Sequence, residues 1–295
     1  YLSRKSKLLS NHNNGGKMKQ HFKDLIKRNR WIKWVPNALT LGNSLCGFAA
    51  ILYTLQVYEK MMYRDGSDGI EKIFAFSACM ILFAMVFDAF DGYAARLLNA
   101  ASLHGIQMDS LADMVTFGVA PATLVAVMAH SMRSLAGNQF RLVWCLCAIY
   151  LGCAALRLAK YNVHAILEKK SSDKFSGLPS PGAAGAICSV TIFYALEQPQ
   201  DGSAMVNLIS FLPYYTAILG FLMVSTIPYQ HFGKWLFSIP RNKKRMLIAF
   251  VVLVALCIEP AWTGVILING YIIWGPIAWF LVKIGVFRNT EETRI

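Results

Sequence analysis

Runs of roughly 20 apolar residues, the length a helix needs to cross the hydrocarbon core of a bilayer, constrain a chain more than any other feature. Eight such windows are expected here, at about residues 37–58, 73–98, 105–131, 142–161, 182–196, 206–225, 246–258 and 262–282. The fifth and seventh are short, as spans are that sit in thinned bilayer or pack against neighbours. With 56% of its 295 residues apolar and a mean hydropathy of +0.43, the chain exceeds the roughly 45–50% apolar content of globular domains. The expected fold is an all-α polytopic membrane bundle.

Charge placement gives an independent reading, because cytoplasmic loops gather Lys and Arg. If the N-terminus is inside, only Lys60, Arg64, Lys72, Arg133 and Arg141 of the 29 basic residues fall on the far side. The far-side loops near Glu197, Asp201 and Glu259 are acidic. Eight helices with both termini cytoplasmic fit this asymmetry, whereas seven would put one basic cluster on the wrong face. The net charge of +13 is therefore that of membrane loops, and no nucleic-acid partner is expected.

The segment before Pro36 is basic throughout and lacks the apolar centre of a cleavable signal, so it is expected to stay in the cytosol. Within it, residues 17–34 carry Phe22, Leu25, Ile26 and Trp31 among basic residues. They read as an amphipathic helix on anionic lipid of the inner leaflet, with a disordered basic tail as the alternative. The seven cysteines have no paired metal-ligand spacing and are read as small buried hydrophobes. Three regions are expected: a basic tail and interfacial helix over 1–35, a six-helix core over 36–225, and two further helices with a short tail over 226–295.

Ionisable groups inside apolar helices cost on the order of 2.5–3.5 kcal/mol each on insertion scales, so a cluster of them points to function. The second window ends FDAFDGYAARLL and the third begins HGIQMDSLADMVTF, which sets Asp88, Asp91, Asp109 and Asp113 near one membrane face. Asp88 and Asp91 are three apart and Asp109 and Asp113 four apart, so each pair projects from one side of its helix. Two antiparallel helices joined by a short turn bring the pairs together. Four carboxylates in one small volume repel or take up protons unless cations neutralise them, and oxygen-only ligation selects Mg²⁺ or Mn²⁺, ions that partner phosphate oxygens. Gly92 and Gly105 remove side chains where a nucleotide or sugar must approach, and Ala95 keeps the helix face thin. Arg96, at the cytoplasmic end, suits bidentate binding of a diphosphate.

The pattern Asp88-x-x-Asp91-Gly92-x-x-Ala95-Arg96, eight residues, Gly105-x-x-x-Asp109-x-x-x-Asp113 resembles the signature of the CDP-alcohol phosphotransferase family at every fixed position. Four further segments are similar to one branch, the membrane-spanning phosphatidylserine synthases: PNALTLGNSLCGFAAI from Pro36, ALRLAKYN from Ala155, FSGLPSPGAAG from Phe175 and MVSTIPY from Met223. The resemblance implies CDP-diacylglycerol bound over two divalent cations held by Asp88, Asp91 and Asp109, with Asp113 as metal ligand, general base or both. It implies direct attack of an alcohol on the lipid-linked phosphorus, CMP as leaving group, and a homodimer with its active site facing the cytoplasm. Asn37 and Thr40, at the start of the first helix, are placed to hydrogen-bond the cytidine or diphosphate; Asn37 equally suits ordinary helix capping.

L-serine as acceptor needs a cation for its carboxylate, and Arg157, near the inner end of an apolar helix, is the best candidate. Lys160 is one turn on and positioned to snorkel. GLPSP, ending at Pro181, reads as a rigid turn that sets the entry angle of the fifth helix; its resemblance to the synthase branch implies that it borders the serine pocket, with Ser180 structural. The rival acceptors are glycerol 3-phosphate, inositol phosphate and choline; a phosphorylated one would demand more cations than Arg157 and Lys160 supply. A cation or proton transporter is the rival of another class, but its carboxylates would sit at the midplane within inverted repeats, and no repeat is evident.

Overall fold

The computed structural model describes residues 34–62, 69–98, 102–131, 137–167, 177–197, 202–229, 251–252 and 254–284, and among them there is no strand. Eight α-helices follow in order: α1 (Val35–Met62), α2 (Ile70–Leu97), α3 (Leu103–Asp113), α4 (Ala120–Ser131), α5 (Gly137–Leu167), α6 (Ser180–Glu197), α7 (Gly202–Val224) and α8 (Pro260–Lys283). A π-helical segment, Met114–Val119, joins α3 to α4, so that Leu103–Ser131 forms one membrane-length rod. Among the described residues six rods are long and apolar enough to cross a bilayer: Val35–Met62, Ile70–Ala95, Leu103–Ser131, Gln139–Val163, Asn207–Val224 and Pro260–Lys283. The protein is an integral, multi-pass membrane protein.

Two expected spans stand differently. The fifth window forms α6, which is not among the six. Its wall of Ala183, Ala184, Gly185, Ala186, Cys188 and Ser189 is buried, and small residues carry little hydropathy because they meet protein rather than lipid. Of the seventh window, residues 251–252 and 254–258 are helical and the rest lies outside the described residues. So do the interfacial helix expected over 17–34, apart from Trp34, and the basic clusters of residues 168–176 and 230–250.

The bundle is built with small and polar groups inward and large apolar ones outward. On α1 the buried residues are Pro36, Thr40, Asn43, Gly47, Ala50, Thr54 and Val57, a stripe spaced alternately four and three apart, one face of a helix. Leu41, Leu45, Phe48, Leu52 and Leu55 point away from the protein, where lipid is their natural partner. Small inward residues let backbones approach, and in a bilayer dispersion and polar contacts between helices replace the hydrophobic effect as the packing force. Gly47 is the tightest case on this helix: a Cβ there would run into the Thr116 side chain and stand 2.8 Å from its Cα.

The cysteines correct one expectation. Cys147 and Cys188 are buried, but Cys79, Cys145 and Cys257 are exposed and Cys46 and Cys153 half-buried. A thiol facing lipid loses nothing by lying outside the protein core.

Polar groups inside the bundle find partners, as hydrocarbon demands. Pro121 has no N–H, so the carbonyl of Phe117, four residues back, lacks its α-helical donor; the fully buried Tyr150 hydroxyl of α5 donates to it at 2.7 Å. Helix α8 is tied to α6 and α7 by Asn269, which accepts from the Tyr215 hydroxyl and donates to Ser189 Oγ at 3.3 Å.

The turn before α6 is locked to the end of α7. Gly177 N–H donates to Ile227 O at 2.8 Å and Leu178 N–H to Leu222 O at 3.0 Å. Gly177 has φ +94°, and a Cβ on it would collide with the Met223 carbonyl oxygen and lie 3.0 Å from that of Ser225. Gly177→Ala is expected to destabilise the fold by about 1–3 kcal/mol, read as a lower melting temperature in detergent. Gly264→Ala, at a helical position with open space around it, is expected to leave that temperature unchanged or raise it.

Candidate active site

Alternating helix direction brings six chain segments to one end of the bundle: the start of α1, the end of α2, the start of α3, the end of α5, the start of α6 and the end of α7. The four aspartates lie there. Carboxylate oxygens of Asp88, Asp91 and Asp109 fall within 4.8 Å of one another. Asp91 is 4% exposed and Asp113 9%, while Asp88 and Asp109 are half-buried.

Two of the four carboxylates are oriented by neighbours on α1. Thr40 Oγ1 donates to Asp91 Oδ2 at 2.9 Å and also approaches its own helix at Pro36 O, 3.0 Å away. Asn43 Nδ2 donates to Asp113 Oδ1 at 3.2 Å. Asp113 stands outside the group of three, one turn deeper along α3, but its charge still feels Asp88, Asp109 and Asp91. Among the described residues no Lys or Arg forms a salt bridge with any of the four, and acids this close in a low-dielectric setting repel or take up protons unless cations neutralise them. The donors present are hard oxygens at a separation that one or two small divalent cations can bridge, and they fit Mg²⁺ or Mn²⁺.

Beside the carboxylates opens a cleft. Asn37, Thr40, Gly92, Ala95 and Gly105 line it together with Asp91 and Asp109. Five of the six residues expected to meet the nucleotide therefore share one wall. The sixth, Arg96, lies on α2, but its side chain is outside the described residues. Asn37 Oδ1 lies near the position a Cβ on Gly105 would take, at 3.7 Å, so a side chain there would narrow the cleft. Ser102, the N-cap of α3, is also on the wall, its hydroxyl accepting from Gly105 N–H at 3.0 Å. The S-x-x-G pattern ahead of the third window carried that capping signal.

Arg157 lies on the Asp113 side. Its Nη1 donates to Ser180 Oγ at 3.1 Å, its Nε is buried without a partner, and its charge feels Asp113, Tyr161 and, on α8, Tyr271. On the same helix Asn162 accepts from Ser110 Oγ at 2.7 Å, tying α5 to α3 one residue after Asp109. The four supporting segments read from the sequence thus meet around one site: the first supplies Thr40 and Asn43, the second Arg157 and Asn162, and the third and fourth the locked turn carrying Ser180. Asn43, Ser110, Asn162 and Tyr271 are the contributors that the sequence reading passed over.

The sequence pattern of the CDP-alcohol phosphatidyltransferase family matches residues 33–223. The chain belongs to that family. It is 34% identical over 204 residues to the CDP-diacylglycerol-serine O-phosphatidyltransferase of Bacillus subtilis, covering 69% of this chain and 93% of that one. It is 27% identical over 262 residues to the enzyme of the same name from Helicobacter pylori, covering 88% and 96%. Similarity extends to the archaetidylserine synthase of Methanothermobacter thermautotrophicus, 33% identical over 169 residues, 55% of this chain and 60% of that one.

The family's chemistry and the oxygen cluster make metal uptake measurable without turnover. Mn²⁺ titrated into the purified protein is expected to lose its free-ion paramagnetic resonance signal. Asp91→Ala and Asp109→Asn are each expected to weaken that uptake at least about tenfold, given that even outer partners of metal ligands are worth 10–100-fold.

Proposed function

We propose that the protein transfers the phosphatidyl group from CDP-diacylglycerol to L-serine, giving phosphatidylserine and CMP, at a site facing the cytoplasm. The observation that carries this reading is the three-carboxylate cluster opening directly onto a cleft whose wall is made of Asn37, Thr40, Gly92, Ala95 and Gly105. The names of the B. subtilis and H. pylori relatives support serine as acceptor.

In this reading Asp88, Asp91 and Asp109 hold two divalent cations, with Asp113 beside them as ligand, base or both; the ions supply charge neutralisation to the phosphoryl oxygens and the departing CMP. The chain's own residues do the rest. Thr40 fixes the Asp91 carboxylate through its hydrogen bond, and Asn37 presents polar atoms to the cytidine or diphosphate. The glycines and Ala95 admit the nucleotide, and Arg96 binds its diphosphate. Arg157, held by Ser180, receives the serine carboxylate and so points the serine hydroxyl toward Asp113. Asp113 takes the hydroxyl proton as the oxygen bonds to phosphorus and the bond to CMP breaks, so the reaction runs through one direct displacement. Positioning and electrostatic stabilisation account for most of the rate, as in phosphoryl transfer generally.

The reading extends to the rest of the chain. Residues 36–225 form the catalytic core, 226–295 add two C-terminal helices, and the basic residues of 1–35 engage anionic lipid. The enzyme works as a homodimer.

With CDP-diacylglycerol and Mn²⁺ supplied, CMP release is expected with L-serine and not with glycerol 3-phosphate, inositol phosphate or choline; release with glycerol 3-phosphate alone would overturn the acceptor. Asp113→Asn is expected to lower turnover by about 100-fold or more while the protein stays folded. Arg157→Ala is expected to raise the KM for serine roughly 10- to 100-fold, the worth of a charge-assisted hydrogen bond, with the KM for CDP-diacylglycerol little changed. A matched rise in both constants would remove Arg157 from the acceptor pocket.

A further inference from the structure

Asn43 occupies an uncomfortable position. It is 0% exposed in the middle of the packed stripe of α1, its Nδ2 donates to Asp113 Oδ1, and its Oδ1 has no partner among the described residues. The amide orientation follows from charge, because only the N–H end can face a carboxylate. A buried carbonyl oxygen left unmatched works against stability. A leucine has the same branched outline, though it is bulkier, and carries no such liability. What leucine lacks is the N–H directed at Asp113.

The backbone around Asp113 is irregular in a way that concerns the same residue. The π-helical segment Met114–Val119 begins immediately after it, with Ala120 N–H reaching back to Val115 O. An extra residue in a helical turn rotates the helix on its N-terminal side against the helix on its C-terminal side by about 100°. The rod thereby turns Asp113 independently of the packed wall of Thr116, Phe117 and Gly118 beyond it. Asn43 grips both sides of this step: its side chain holds Asp113, and its main-chain carbonyl accepts from Thr116 Oγ1 at 3.1 Å. One turn further along α1, Gly47 lets the Thr116 backbone seat against the helix. The three contacts fix where the π turn lies relative to α1, and with it the direction of the Asp113 carboxylate.

We propose that Asn43 is a positioning residue for Asp113: its amide and the π turn together hold the carboxylate in the orientation from which it receives the proton of the attacking hydroxyl. This rests on the reading of Asp113 as the base. One oxygen of the carboxylate is engaged by Asn43, which leaves the other for the reaction. The residue acts on the proton-transfer step and on neither substrate's binding, since it is sealed from the cleft.

The test uses the full chain in detergent with Mn²⁺, CDP-diacylglycerol and L-serine, measuring kcat, both KM values and the melting temperature. Asn43→Leu, which keeps the branched outline, and Asn43→Ala, which opens the space, are each expected to lower kcat about 100-fold, the scale of a misplaced reacting group. Both KM values are expected to stay within about twofold, and each variant to show a single cooperative melt. Retained kcat in Asn43→Leu would overturn the proposal, since the amide would then be filling space. Unchanged kcat with raised KM would overturn it equally. Asp113→Asn, run in parallel, separates the two levels: an inactive Asp113→Asn beside an active Asn43→Leu removes Asn43 alone, whereas an active Asp113→Asn removes the base assignment beneath it.

Discussion

The mutual repulsion of four carboxylates at one end of a membrane bundle is the constraint on which the rest of the structure depends. Left in a low-dielectric site without cations, such groups take up protons or push their helices apart. The bundle counters this by fixing two of the carboxylates from α1: Thr40 holds Asp91 and Asn43 holds Asp113, both from a stripe whose other members are mostly small. A hydroxyl and an amide reach the acids only because Gly47 and Ala50 let α1 lie close to its neighbours. Large inward side chains would have held the donors too far away. The outward placement of leucines and phenylalanines on the same helices is the complement of this design, since the inward faces are reserved for close approach.

The rod Leu103–Ser131 carries two departures from regular helix, and each has a local cause. The π turn comes directly after Asp113, the most enclosed of the acids apart from Asp91, and Pro121 comes just after the π turn. In a bilayer neither can leave a backbone group unpaired. The Tyr150 hydroxyl meets the carbonyl that Pro121 leaves without its α-helical donor, and the Thr116 hydroxyl finds the Asn43 carbonyl. An irregular helix beside the acid cluster is thus held by side chains from α1 and α5, the helices that also carry the nucleotide wall and Arg157. The site and its supports are one packing unit.

Much of this was legible in the residues. The intramembrane aspartates announced themselves through their insertion cost, and their three- and four-residue spacings predicted which sides would face each other. The lining of the cleft was legible too, since Gly92, Ala95 and Gly105 carry no or small side chains where Asn37 and Thr40 offer polar ones. Asn43 was not singled out, although it lies three residues after Thr40 on the same stripe, because a lone amide in an apolar run carries no charge to flag it. Helix α6 read as a weak span for a physical reason too: hydropathy measures preference for lipid, and Ala183, Ala184 and Ala186 face protein. The π turn has no sequence signature that spacing reveals; its nearest hint was Pro121.

The surroundings of Arg157 join parts of the chain that sequence distance keeps apart. Arg157 sits between Ser180 of the turn before α6, the charge of Asp113, and Tyr271 of α8. That last helix lies beyond the residues matched by the family pattern, which ends at 223. It is nonetheless bound to the core by Asn269, between Tyr215 and Ser189, and by the Tyr229 hydroxyl donating to Ile272 O at 3.2 Å. Tyr229 in turn belongs to the segment that locks Gly177. A displacement of α8 would therefore be felt at Tyr271, at the Gly177 turn and, through Ser180, at the guanidinium of Arg157. The carboxylate cluster and the cleft are built from α1, α2 and α3 and need none of these contacts. The oxygen cluster and the cleft thus lie wholly within the residues matched by the family pattern, whereas Arg157, itself within them, is braced in part by a helix outside.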